Sequence, residues 1–304
     1  MISVLKFFDS VSLDNIKPNC QLPSYPVMGG SPAFINYWGA NETGPVVACG
    51  GHYLEASTQC FGYVDIYSDS PWMQLPNSTL NHCIYDSSGI ITTQYDLSGL
   101  MTGMGWWVSG LTQDDNGGCS YKWASEVFNG FEWVTGPDHP KGVSFIDSCT
   151  VQVNTTHSLV VGGMASMGQS WLYDWQVGRW TEAGKLNRPR QTHSCVAVED
   201  LGVLVVGGTD HNSNREHTVE LFDPVNGRWS LQPSLPNFME TYRIIVLQWQ
   251  GTVIALANRD DRVFKREDDG SWGVLEGVLL PQEFKGGQNN HAVIVHDEYG
   301  LGCL

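Results

Sequence analysis

The sequence predicts an all-β protein, built from six antiparallel sheets packed side by side in a single domain over residues 1–304. Three observations carry this. The stretch from Arg190 to Pro236 holds four short apolar runs in under fifty residues, separated by turn signals: Cys195–Val198, Leu204–Val206 ending in Gly207-Gly208, Val219–Phe222, and Trp229 after Gly227-Arg228. The same order recurs along the chain, and Trp72, Trp133, Trp180, Trp229 and Trp272 return at intervals of about fifty residues. A four-stranded sheet with two apolar faces cannot bury both alone, so copies must stack on one another.

The elements follow in chain order. The first full unit begins near Ala33–Trp38 and continues through Val46–Gly51, Val64–Tyr67 and Trp72 to Leu75-Pro76. The second runs from about Asn81 to Pro137 and is worn, with Trp106–Gly110 and Glu132-Trp133 standing for the usual runs. The third starts at Val143 and repeats the pattern cleanly in Leu159–Gly163, Trp171–Asp174 and Gly178–Trp180; the fourth starts at Gln191. The fifth starts at Tyr242 and is worn again, with Val253–Ala257 and Ser271-Trp272. Val4–Asp9 and Cys20–Pro23 resemble third and fourth strands, whereas His291–Val295 and Tyr299–Leu304 resemble first and second strands. The two ends, 1–25 and 288–304, are therefore expected to share one sheet, which removes open edges. Clusters such as Gly136-Pro137-Asp138-His139-Pro140 mark the joins, and no linker suggests a second domain.

An apolar run closed by Gly-Gly, then Tyr or Phe, then Trp, resembles the kelch repeat. That resemblance covers nearly the whole chain and implies a six-bladed kelch-type β-propeller, one sheet per blade, with a closing blade shared by the N- and C-termini. His193-Ser194-Cys195 and Asn81-His82-Cys83 further resemble the head of the first strand in secreted kelch-like proteins of invertebrates. The fold alone does not name an activity, because propellers serve many.

Composition narrows the classes. The 304 residues carry 16 Lys and Arg against 32 Asp and Glu, a net charge of −16, which argues against nucleic acid and anionic membrane surfaces. No run approaches the roughly 18 apolar residues of a membrane span, and Met1–Asp9 turns polar too soon for a signal peptide. Eight cysteines fit disulfides in an oxidising compartment, with Cys49–Cys60 and Cys20–Cys303 as the candidate pairs. Cys83, Cys149 and Cys195 share a column with Ala292 and read as small buried residues. Asn41, Asn77 and Asn154 each open a glycosylation sequon in an expected turn. Together these features favour an extracellular protein, with a cytoplasmic one as the alternative.

In a kelch blade the loop between strands two and three lies at the same end as the connection entering strand one, around the mouth of the central channel. The resemblance thus gathers a candidate ligand-binding set there: His52, Tyr53, His82, Asp114, Asp115, Arg190, His193, Asp210, His211, Arg215, Tyr242, Arg259 and His291. His193 and His291 have a second reading, as groups that only bond neighbouring loop carbonyls. Asp114, Asp115 and Asn116 offer the oxygens a calcium site uses, but the full Asp-x-Asp-x-Asp-Gly loop is absent, so a plain Asn-Gly turn is read and no metal or cofactor is expected.

Enzyme signatures fare poorly. No Glu has an Asp four residues on, which removes the iron triad of plant specifier proteins, and the chain is too short for the architecture of galactose oxidase. No Gly-x-Ser-x-Gly, phosphate loop or His-Glu-x-x-His occurs. The expectation is a secreted binding or scaffold propeller that engages a protein or glycan at the channel mouth. The alternative is a small-molecule, sugar-directed enzyme resembling sialic acid mutarotases.

Overall fold

A computed structural model describes residues 133–279, apart from 146, 199, 237–243, 250–251 and 258–261, together with the strands named below outside that range. Side chains are described for most of 134–276 and for Ser125 and Val127.

The described structure is all-β and antiparallel. After β1 (Val4–Lys6) come four strands in one sheet: β2 (Ala33–Asn36), β3 (Val46–Gly50), β4 (Gln59–Tyr63) and β5 (Trp72–Gln74). The next sheet comprises β6 (Ser88–Tyr95), β7 (Met101–Val108), β10 (Ser125–Phe128) and β11 (Trp133–Thr135), with a small hairpin of β8 (Leu111–Gln113) and β9 (Cys119–Tyr121) between its second and third strands. A third sheet holds β12 (Cys149–Gln152), β13 (His157–Val161), β14 (Gln169–Asp174) and β15 (Arg179–Lys185). A fourth holds β16 (Ser194–Val198), β17 (Gly202–Val206), β18 (Val219–Asp223) and β19 (Arg228–Gln232). The fifth is β20 (Ile244–Trp249), β21 (Thr252–Ala257), β22 (Arg262–Arg266) and β23 (Trp272–Leu279). Finally β24 (Val293–His296) and β25 (Leu301–Cys303) form a three-stranded sheet with β1, which pairs with β25.

The second strands show why stacking is obligatory. Val203 to Val206 are all fully buried, with no alternation of apolar and polar positions. Val203 and Val205 pack with Leu159, Val161 and Ala183 of the third sheet, whereas Leu204 and Val206 pack with Val246, Ala255 and Phe264 of the fifth. Successive side chains leave opposite faces of a strand, so a strand apolar at every position is one covered on both sides.

The tryptophan column falls where the period placed it, in the fourth strand of each of five sheets. Its register partners on the third strands are Tyr63, Phe128, Tyr173 and Phe222, with Arg266 opposite Trp272. The rings of Tyr173 and Trp180 lie 4.9 Å apart, and those of Phe222 and Trp229 5.1 Å. Two of the indoles also reach back along the chain: Trp180 Nε1 donates to the Asp138 carbonyl at 2.7 Å and Trp229 Nε1 to Ser170 Oγ at 3.0 Å. The tight turns before Trp180 and Trp229 are alike, with Asp174 and Asp223 each accepting two backbone N–H groups of its own turn.

Three expectations need correction. The third strand of the first sheet is Gln59–Tyr63 rather than Val64–Tyr67. The aromatic that faces Trp72 is thus Tyr63, as Phe128 faces Trp133, and this pairing outweighs the more apolar run that follows. The hairpin β8–β9 was not foreseen. Cys83 precedes β6 rather than heading it. The fourth strand expected at Cys20–Pro23 lies outside the described residues, as does Ala292.

Candidate functional site

The end of the sheets that carries the loops between second and third strands is defined best around the third and fourth sheets. There the connection from β15 to β16, residues 186–193, runs beneath the loop from β13 to β14. Leu186 N donates to the Gly168 carbonyl, Arg190 N to that of Met167, and Gly163 N to that of Arg190. Gln191 bridges Thr209, and Thr209 bridges Arg215, tying in the loop from β17 to β18.

Arg190 lies inside this wall. Its side chain is fully buried, and its five N–H donors meet five acceptors: the carbonyls of Arg188, Gly207 and Thr218, Thr218 Oγ1, and Glu220 Oε1 at 2.9 Å. Glu220 is equally buried and accepts three further bonds, from the backbone N–H of Asn187 and Arg188 and from Asn187 Nδ2. Burial lowers the Arg190 pKa, and the attraction of Glu220 opposes that shift. No donor remains for a ligand.

His193 sits in the same wall, wedged between two diglycines. A Cβ on Gly162 would lie 2.6 Å from its Cε1, and one on Gly208 would lie 2.8 Å from its Cβ. Both glycines have positive φ, +63° and +92°, so neither the conformation nor the space admits a side chain. Burial, and then the nearby Arg190 charge, push the His193 pKa down to about 3. The Val161 carbonyl favours the protonated ring, but neither ring nitrogen makes a hydrogen bond of ordinary geometry. The imidazole is neutral.

The remaining described members of the set share one loop. Asp210 accepts the backbone N–H of Asn212 and Asn214 and also Asn214 Nδ2, and these bonds lower its pKa. His211 is exposed, with Nε2 3.0 Å from Asn212 Nδ2, and Arg215 is half-buried. At the same end of the sheets, Met164 of the β13–β14 connection is 48 % exposed. The structure therefore brings Asp210, His211 and Arg215 together at the surface and sets Arg190 and His193 in the wall behind them. His52, Tyr53, His82, Asp114, Asp115, Tyr242, Arg259 and His291 lie outside the described residues.

Sequence reasoning missed two partnerships. Glu220 is a fully buried carboxylate between Val219 and Leu221 of the third strand, and a charge there demands an internal counter-charge. Cys149 and Cys195 are not the small buried residues expected: both are half-buried and form a disulfide with Cα atoms 6.0 Å apart, joining β12 of one sheet to β16 of the next. Matched positions on neighbouring first strands are adjacent in space, so a separation of one repeat was the available signal. Cys49 and Cys60 are direct register partners on β3 and β4, and Cys303 faces Val4; the side chains of these cysteines and Cys20 lie outside the described residues. Asn154 lies in the turn between β12 and β13, while Asn41 and Asn77 lie outside the described residues.

Comparison with known proteins agrees with this geometry. A family profile described as Kelch motif matches residues 189–236, the stretch from the Arg190 wall through the fourth sheet. Among solved structures the chain is similar to YjhT, with a TM-score of 0.55 and 13 % identity over 77 % of this chain and 74 % of that one. No curated protein matches the chain by sequence. With a kelch motif on one four-stranded sheet and the same aromatic-on-tryptophan register in the third sheet beside it, the chain has the kelch-repeat β-propeller fold.

Proposed function

We propose that the chain is a secreted binding or scaffold propeller of six blades, closed by strands from both termini, which engages a protein or glycan through its loop-bearing end. One observation carries the binding reading. The charged groups that chemistry would need at the described part of this end, Arg190 and Glu220, are spent on each other and on backbone, while the loops in front of them expose Met164, His211, Asn212 and Ser213. An exposed thioether, amide and hydroxyl at one end of the sheets suit contact with a surface rather than proton transfer. The pairing of β1 with β25 supports closure by both ends, because it leaves the terminal strands with partners from opposite ends of the chain. The Cys149–Cys195 bond supports an oxidising compartment.

The test is a thermal-shift and direct-binding screen against monosaccharides, oligosaccharides and extracellular proteins. A ligand that binds only the folded state raises the midpoint with the logarithm of its concentration. Met164→Asp and His211→Ala should abolish that rise while leaving the ligand-free midpoint unchanged. Saturable response to a single monosaccharide, with interconversion of its anomers, would overturn the binding reading in favour of a sugar isomerase of the sialic acid mutarotase kind.

A further inference from the structure

The opposite end of the third and fourth blades carries features that the loop-face reading leaves unused. The β12–β13 turn holds Asn154-Thr155-Thr156, with Asn154 and Thr155 exposed and no proline at the middle position. Asn154 Oδ1 accepts from Thr156 N at 2.9 Å, His157 N at 2.9 Å and Thr156 Oγ1 at 3.0 Å, and lies 3.3 Å from His157 Nδ1. Two of those donors are backbone N–H groups, which fixes the orientation of the amide. Its Nδ2 makes no hydrogen bond among the described residues. Substitution on that nitrogen would keep every bond that shapes the turn.

The surroundings are apolar and exposed. Val177, in the adjoining β14–β15 turn, is 66 % exposed, and Val225, in the β18–β19 turn, is 89 % exposed. The Thr156 carbonyl accepts Trp175 N at 2.9 Å, so the sequon turn lies against the turn that bears Val177. Val153, next to Asn154, lines a cavity of about 620 Å³ together with Ala197, Val198, Leu201 and Val225, and with the polar Asp200, Asp223 and Gln248. Bulky branched side chains this open to water are a liability on a soluble surface unless something polar covers them.

We propose that Asn154 carries an N-linked glycan whose inner sugars lie over these turns, shielding the end opposite the binding loops. The proposal rests on the secreted reading above. In the modification a bond forms between Asn154 Nδ2 and the anomeric carbon of a lipid-diphosphate-linked oligosaccharide. The carbon–oxygen bond to the diphosphate breaks, the lipid diphosphate leaves with the electron pair, and the amide gives up one proton. Thr156 supplies the hydroxyl that the sequon requires, and a glycan is bulky, hydrated and confined to surfaces.

The test routes the full chain through a eukaryotic secretory pathway behind a supplied leader, so that its result is independent of the natural location. Glycopeptide mass spectrometry across 150–160 should find Asn154 modified. Asn154→Gln should remove one glycan from the intact mass, Thr156→Val should do the same, and Thr156→Ser should retain it. Enzymatic release of glycans from the folded protein should raise binding of a hydrophobic dye several-fold, and Val177→Ser with Val225→Ser should cancel that rise. An unmodified Asn154 in folded, secreted protein overturns the site. Equal dye binding before and after release overturns the shielding. Separately, retention of the native protein in the cytosol of its source would overturn secretion without touching the chemistry at Asn154.

Discussion

Arg190 Nη2 lies 2.9 Å from Glu220 Oε1 with both side chains wholly out of solvent, and this pair fastens the connection between two blades to the third strand of the second of them. Glu220 also caps the backbone N–H groups of Asn187 and Arg188, so the pair sets the path of the chain as well as neutralising charge. Removing one partner strands the other as an uncompensated buried ion. Glu220→Ala and Arg190→Met should each cost about 3–5 kcal/mol, measured from urea unfolding midpoints. The double variant should cost clearly less than the sum of the two. Additive losses would show that the two groups act separately.

His193 predicts a pH dependence of known sign. Its folded pKa lies near 3 against 6.5 for the free ring, so below pH 6.5 the unfolded chain binds a proton that the folded one refuses. Its contribution is complete above pH 6.5. It falls by up to about 1.4 kcal/mol per pH unit as acid is added, until the folded ring itself protonates near pH 3. His193→Gln should flatten unfolding free energy between pH 6.5 and 4. Asp210, Asp223 and Asp269 have pKa values lowered below 3.8 mainly by side-chain hydrogen bonds within their turns, so their losses set in only below about pH 5, and the span from pH 6.5 to 5 reports His193 free of them.

The Cys149–Cys195 bond closes a loop with a sequence separation of 46 residues across two blades. The chain-entropy description gives a stabilisation of about 4 kcal/mol for a loop of this size. Cys149→Ser with Cys195→Ser should lower the urea midpoint accordingly, and a mild reductant should shift the parent towards the variant. Unchanged midpoints in the double variant would mean that packing between the first strands suffices.

Two glycines with positive φ separate conformation from space. A Cβ at Gly227, φ +62°, would meet nothing within 4 Å, so Gly227→Ala should cost only the left-handed backbone penalty of about 1–2 kcal/mol. At Gly208, φ +92°, the same atom would lie 2.5 Å from the Gln191 carbonyl oxygen and 2.8 Å from His193 Cβ. Gly208→Ala should therefore cost about 3 kcal/mol or more, because the join between blades must open. Equal losses in thermal unfolding would refute the close approach.

The repeat was legible because its signals are local. A second strand covered on both faces must be apolar throughout, as in Val203–Val206, and a turn that reverses the chain before a paired tryptophan recurs as Asp-x-x-x-Gly-Arg-Trp at Asp174 and Asp223. The sheet boundaries were less legible where two apolar runs compete, as at Gln59–Tyr63 and Val64–Tyr67, since the choice depends on which aromatic meets Trp72 across the strands. Of the candidate site, residues 210–215 were read as part of a loop between second and third strands, and they lie between β17 and β18. Arg190 and His193 were read from the same loop-end position and lie behind it.

The amino-acid sequence alone determined the all-β class, the period, the tryptophan column and the turns, because each rests on neighbours along one strand or one hairpin. Only the tertiary structure decided which charges are available. Whether Arg190 faces a channel or a carboxylate depends on Glu220, thirty residues away, and whether Cys149 is a small core residue or half of a bridge depends on Cys195 in the next blade. Those pairings are made by the stacking of whole sheets, and the free energy of a buried charge or thiol is set by the partner that stacking brings to it.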